Sequence, residues 1–181
     1  KLIPNKEMLC FRQKSMLNQN PPDHTRLRSL VNKAFTPSMI AKMRSHIQAI
    51  ADELLDKIES KKEFDLVADF SFPLPATVIA EMLGVPAQDR DRFKGWSHAL
   101  VGVLEPNPHV MNVAKTIHAY NELTDYLKPL VEERRKEKRE DLISALVESE
   151  EEGNRLTEAE LLSNTVLLLI AGHETTTNLI G

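Results

Sequence analysis

Residues 171–176 read Ala-Gly-His-Glu-Thr-Thr and follow directly on an apolar run, Val166 to Ala171. A carboxylate inside such a helix is costly unless it is paired, hydrated or protonated, so Glu174 marks a point where the apolar run meets something polar. A threonine in mid-helix tends to donate its hydroxyl to the carbonyl four residues back, which bends the helix and loosens its ladder. For Thr175 that carbonyl belongs to Ala171. Gly172 leaves the helix surface bare, so a flat ligand can lie close to the backbone. An acid, an alcohol and a loosened helix together suit the delivery of protons into an apolar pocket. Three threonines on a solvated face near a helix end are the plain alternative.

A second set lies near the start of the chain. His24 and Arg28 are four residues apart, just after Asn20-Pro21-Pro22, and on a helix they share one face. An imidazole beside a guanidinium suits the gripping of two carboxylates or phosphates, although such a pair is also common as solvated surface. A zinc-protease reading fails. His173-Glu174 opens an H-E-x-x-H pattern, but residue 177 is threonine, and no two of the six histidines lie within four residues of each other.

Helices must position these groups. Asp23 is expected to cap a helix through Ala34, with Leu27, Leu30, Val31 and Ala34 on its apolar face. Thr36-Pro37 starts a second helix whose stripe of Met39, Ile40, Met43, Ile47, Ile50, Leu54 and Ile58 runs to Ser60. Phe64 to Val67 reads as a short strand. Pro75 to Leu83 reads as a helix stopped by Gly84 and Pro86. Further helices are expected over 89–103, 109–138 and 141–149, then an acidic loop over 150–155. Thr157 and Glu160 form a capping box that opens the final helix. The expected class is all-α, a single helical domain over residues 1–181.

Composition narrows the function. A net charge of -4 gives no electrostatic reason for nucleic acid or an anionic membrane as partner. The ten charged residues Glu132 to Asp141 carry five of each sign, which suits a solvated helix end. The longest strongly apolar stretch, Val166 to Ala171, falls far short of the ~20 residues of a membrane span. The single cysteine, Cys10, excludes an internal disulfide and suits a reducing compartment, so a cytoplasmic location is expected.

The two motifs together, PPDHTRLR at 21–28 and AGHETT at 171–176, resemble the cytochrome P-450 superfamily of haem-thiolate monooxygenases, especially its soluble bacterial members. The stretch FSFPLPATVIAEMLGVP at 70–86 is similar to the family as well. The resemblance implies the helical central part of that fold and a haem (iron protoporphyrin IX) cofactor. His24 and Arg28 would bind the haem propionates, and Ala171 and Gly172 would lie against its distal face. Glu174 and Thr175 would form the acid–alcohol pair that relays protons during dioxygen activation. Leu167, Ile170 and Ala171, before that pair on the final helix, are the expected substrate contacts, and an apolar lining implies an apolar or amphipathic small molecule. Trp96, Leu100, Val101 and Val103 would roof the pocket or simply pack.

The family's iron-ligating cysteine belongs to a glycine-rich loop well after the central helix. Cys10 lacks that setting and is not assigned. No metal ligand is expected within residues 1–181, the thiolate cysteine lying beyond Gly181 in a longer protein of which this is the central piece. No flavin or nicotinamide motif is present, so electrons would come from a ferredoxin- or flavodoxin-like partner. A non-enzymatic helical ligand-binding or regulatory module is the rival reading.

Overall fold

The computed structural model describes residues 11, 13–100, 113–151 and 154–181. Seven α-helices carry it: α1 Asp23–Ala34, α2 Pro37–Glu59, α3 Pro73–Met82, α4 Arg90–Leu100, α5 Val113–Lys136, α6 Leu142–Glu148 and α7 Glu158–Ile180. The class is all-α, as read. Cys10, Val101, Val103 and the expected helix start at 109 lie outside the described residues.

Local chemistry sets the helix ends. Thr36 accepts from the Met39 N–H at 3.2 Å, with Pro37 behind it at the first helical position, so α2 starts where expected. At the end of α3 the Val85 N–H donates to the Ala80 carbonyl and the Gly84 N–H to that of Glu81, while Gly84 takes a φ of 73°. This is the Schellman arrangement, which needs a residue tolerant of the left-handed region. Asp141 caps α6 by accepting from the Ser144 N–H at 2.8 Å.

Four expectations change. The helix at 23 starts without a side-chain cap, because Pro22 occupies the cap position and Asp23 is already helical. Asp23 can then act only as a negative charge in the first turn. Phe64 to Val67 form no strand. The Asp65 carboxylate accepts from the N–H groups of Val67 and Ala68 at 2.9 and 3.0 Å, starting a π-helical turn, Val67–Ser71, instead. The loop at 150–155 is a hairpin, β1 Glu150–Glu151 against antiparallel β2 Asn154–Arg155, the only sheet among the described residues. The α2 stripe divides: Ile50 and Ile58 are buried, whereas Ile40 and Ile47 are exposed.

α7 is the axis of the molecule. It packs against α3, α4, α5 and α6 and against the π-helical turn. Leu161, Leu169 and Ile170 are at most 1% exposed, and truncating a leucine in such a position costs ~2–5 kcal/mol. Several of its buried polar groups are bonded internally, although the Ser163 hydroxyl is buried without a hydrogen-bond partner. The Asn164 amide accepts from the Met16 N–H at 2.9 Å and donates to the carbonyls of Lys14 and Glu160 at 3.1 and 2.7 Å, pinning the segment before α1. Glu160 closes the capping box with Thr157 and also bonds Arg26 of α1, so one carboxylate fixes both the start of α7 and its docking to α1. Trp96 is packed rather than open: it is buried, donates to Glu122 at 3.1 Å and lies under the Arg92 guanidinium.

Candidate active site

The polar segment of α7 has the local structure its residues dictate. The Thr175 hydroxyl donates to the Ala171 carbonyl at 2.6 Å, that of Thr176 to Gly172 at 3.2 Å and that of Thr177 to His173 at 2.9 Å. Three successive carbonyls therefore serve a hydroxyl besides the helix ladder, the condition under which a helix loosens. Thr177 is buried, Glu174 is half-buried and Thr175 is exposed. Acid and alcohol are thus adjacent and reachable from one side of the helix.

That open side forms a stripe. Leu168 and Ala171 are half-buried, and Gly172, Thr175 and Leu179 are exposed, at the three- and four-residue spacing of a single helix face. Leu168 joins the site although the motif does not contain it; its position seven residues before Thr175 is the signal that points to it. Leu167 and Ile170, expected at the substrate, lie within the packed core at 4% and 0% exposure, so of the three expected substrate contacts only Ala171 has open surface. A Cβ added at Gly172 would meet Ile79 at an ordinary 3.4 Å, so packing does not require glycine there. The bare backbone faces outward.

His173, between these residues, is 2% exposed. Its Nδ1 lies 2.9 Å from the Ser97 hydroxyl of α4, and the Phe72 ring stands edge-on to it at 4.6 Å between centroids. Burial, and secondarily the charge of His98, push its pKa down to about 4.

On α1, His24 is half-buried and Arg28 exposed, at the edge of the buried face formed by Leu27, Leu30, Val31 and Ala34. Among the described residues neither side chain makes a hydrogen bond or ion pair, whereas that of their neighbour Arg26 is bound to Glu160. Two uncommitted donors on one face fit a ligand bearing carboxylates. The two sets do not touch. Arg26 reaches α7 at Glu160, fourteen residues before Glu174 and so about 21 Å along the axis at ~1.5 Å per residue. A group that used both sets would have to span them. A surface groove of about 610 Å³ between α1, α2, α3 and α6, floored by Met39, Met43 and Met82, is a separate feature, lined by no residue of α7.

The cytochrome P-450 family model matches residues 5–180, and the chain belongs to that family, whose members bind haem. It is 48% identical over 179 residues to a cytochrome P-450 of Bacillus subtilis, covering 99% of this chain and 42% of that protein. It is 43% identical over its whole length to the polyketide biosynthesis cytochrome P-450 PksS of the same organism, covering 44% of it. The solved structure of PksS superposes with a TM-score of 0.87 at 42% identity, over 99% of this chain and 45% of that one. The P-450 BioI, solved with an acyl carrier protein bearing hexadec-9Z-enoic acid, superposes at 0.86 with 36% identity, over 97% and 45%. The chain thus spans less than half the length of these relatives. No helix among the described residues is long and apolar enough to cross a membrane.

Proposed function

We propose that the protein to which this chain belongs is a haem-dependent monooxygenase that hydroxylates or epoxidises an apolar or amphipathic small molecule. Hydroxylation places one atom of dioxygen in a C–H bond and releases the other as water, consuming two electrons and two protons. Bound haem iron supplies the oxygen-binding and electron-transfer chemistry. The electrons come from a separate ferredoxin- or flavodoxin-like protein, and the single cysteine suits a cytoplasmic enzyme.

The residues of this chain supply anchoring, shape and protons. His24 and Arg28 grip the two propionates through charge-assisted hydrogen bonds. Gly172 and Ala171 let the flat macrocycle approach the helix. Leu167 and Ile170 back this wall from within the core and set its position against the substrate. Glu174 exchanges protons with solvent, and Thr175 presents its hydroxyl oxygen to the next proton while its own hydrogen rests on the Ala171 carbonyl. That bond at 2.6 Å, beside an accessible carboxylate, is the observation that carries the proposal. The neighbours support the substrate class, one acting in polyketide biosynthesis and another solved with a carrier-bound fatty acid.

The reduced, carbon monoxide difference spectrum of the full-length protein tests this. A strongly red-shifted Soret band is expected for thiolate-ligated haem. A protein that purifies folded and without any haem band is instead a helical binding module.

A further inference from the structure

Among the described residues His173 is the one buried imidazole, and the proton path does not use its bonding. It touches two other elements. The Ser97 hydroxyl of α4 lies 2.9 Å from Nδ1, and Phe72, between the π-helical turn and α3, meets the imidazole edge-on at 4.6 Å. The same phenyl ring meets His98 of α4, also edge-on, at 5.8 Å. Ser97 and His98, consecutive on α4, thus meet His173 and Phe72 respectively, and His173 directly precedes Glu174 and Thr175 in the chain. Nε2 is buried and has no hydrogen-bond partner.

We propose that His173 is a positioning residue: with Ser97, His98 and Phe72 it forms a clasp that holds α4 against α7 beside the acid–alcohol pair, and the clasp closes only on the neutral imidazole. The inference rests on the monooxygenase reading for its consequence, since displacing α4 would loosen the wall around that pair. A second proton would create an imidazolium with one buried N–H donor lacking any acceptor. Among the described residues no carboxylate is hydrogen-bonded to Nε2. Asp69 on the π-helical turn bonds Lys61, Glu81 on α3 bonds His46 and Arg90, and Glu122 on α5 bonds Trp96 and His118. Among the described residues the one charged group that acts on His173 is His98, whose cation opposes a second.

The sign follows from linkage. The closed clasp holds His173 at about 4, while an opened one returns it to the ordinary 6.5. The open form therefore binds the proton, and closure is fully favoured only above the open-form value. Between about pH 7.5 and about pH 5.5 the closing equilibrium weakens about tenfold.

Hydrogen exchange of the α4 amides in the full-length, haem-loaded protein, corrected for intrinsic rates, reads this equilibrium without turnover. Protection over residues 90–100 is expected to fall about tenfold across that interval in the wild type and to stay level in His173→Asn. Constant wild-type protection, or the same fall in the variant, overturns the proposal. His98→Gln should retain the fall, and losing it there would move the proton to His98 and overturn the proposal as well. Ser97→Ala should lower protection at both pH values and keep the pH dependence, without which the hydroxyl is no part of the clasp. A missing Soret band would defeat the monooxygenase reading and leave these exchange results standing.

Discussion

The Arg134 side chain, 1% exposed near the end of α5, joins three elements. Its Nε donates to Asp141 at 2.6 Å, its Nη2 to the Gly84 carbonyl at 3.3 Å, and its Nη1 lies 3.1 Å from Glu133. Asp141 is 5% exposed as well, and its other oxygen caps α6. Replacing Arg134 by Met leaves a buried carboxylate with the Ser144 N–H as its remaining donor, a loss of about 3–5 kcal/mol. Asp141→Asn keeps a cap acceptor but removes the charge opposite Arg134. Glu133 and the Gly84 carbonyl remain to that guanidinium, so about 3 kcal/mol is expected, the low end of the range. The double variant strands no charge and keeps the cap, so it should cost only about 1–3 kcal/mol, well below the sum of the single losses. Urea unfolding of the four proteins, closed into a cycle, measures the coupling. Additive losses, or single losses under about 1 kcal/mol, would refute the assignment of this pair as a buried, mutually dependent junction.

Gly84→Ala should be destabilising beyond the ~1–2 kcal/mol of left-handed backbone, because its Cβ would lie 2.3 Å from the Asp141 carboxylate; the urea midpoint reads it. Burial pushes the Glu160 carboxyl up, but the bonds from Arg26 and Thr157 outweigh it and hold the group below its ordinary 4.5. The stability this contributes is present above 4.5 and lost as pH falls through the lowered value, so Glu160→Gln should flatten that part of the acid-unfolding curve. Arg28→Ala should weaken haem retention about tenfold or more, the worth of one charge-assisted bond, seen as Soret absorbance per protein. Thr175→Ala should give about tenfold less product per electron pair consumed, with Thr175→Ser restoring part of it.

Much of this molecule is legible in its residues, for reasons that differ from place to place. The bond from Thr175 to Ala171 follows from one side chain and the helix period alone, and the structure holds it. The capping box and the glycine at position 84 were readable on the same local grounds. Which sector of α7 faces outward was not, since Leu161 to Ile170 is apolar on every side and periodicity then has no phase to report. Leu167 and Ile170 accordingly lie in the core while Leu168 shares the open face. Phe64 to Val67 misled as a strand because its aromatic and branched residues outweighed one aspartate whose carboxylate binds two backbone N–H groups. His173 gave no sign of burial, because its partners, Ser97 and Phe72, are contributed by distant parts of the chain.

The glutamate that caps α7 and binds Arg26 also acts as an index mark. An α-helix advances ~100° per residue, so anchoring Glu160 sets the compass bearing of every later side chain on that rod. Fourteen residues on, Glu174 comes round to within about 40° of the anchor's own bearing. A single residue inserted between Thr165 and Ala171 would swing acid and alcohol about 100° off, leaving the hydroxyl-to-carbonyl bonds of Thr175, Thr176 and Thr177 intact on a helix pointed the wrong way. Deletions and insertions in this stretch should therefore be silent in helix content and ruinous for the site.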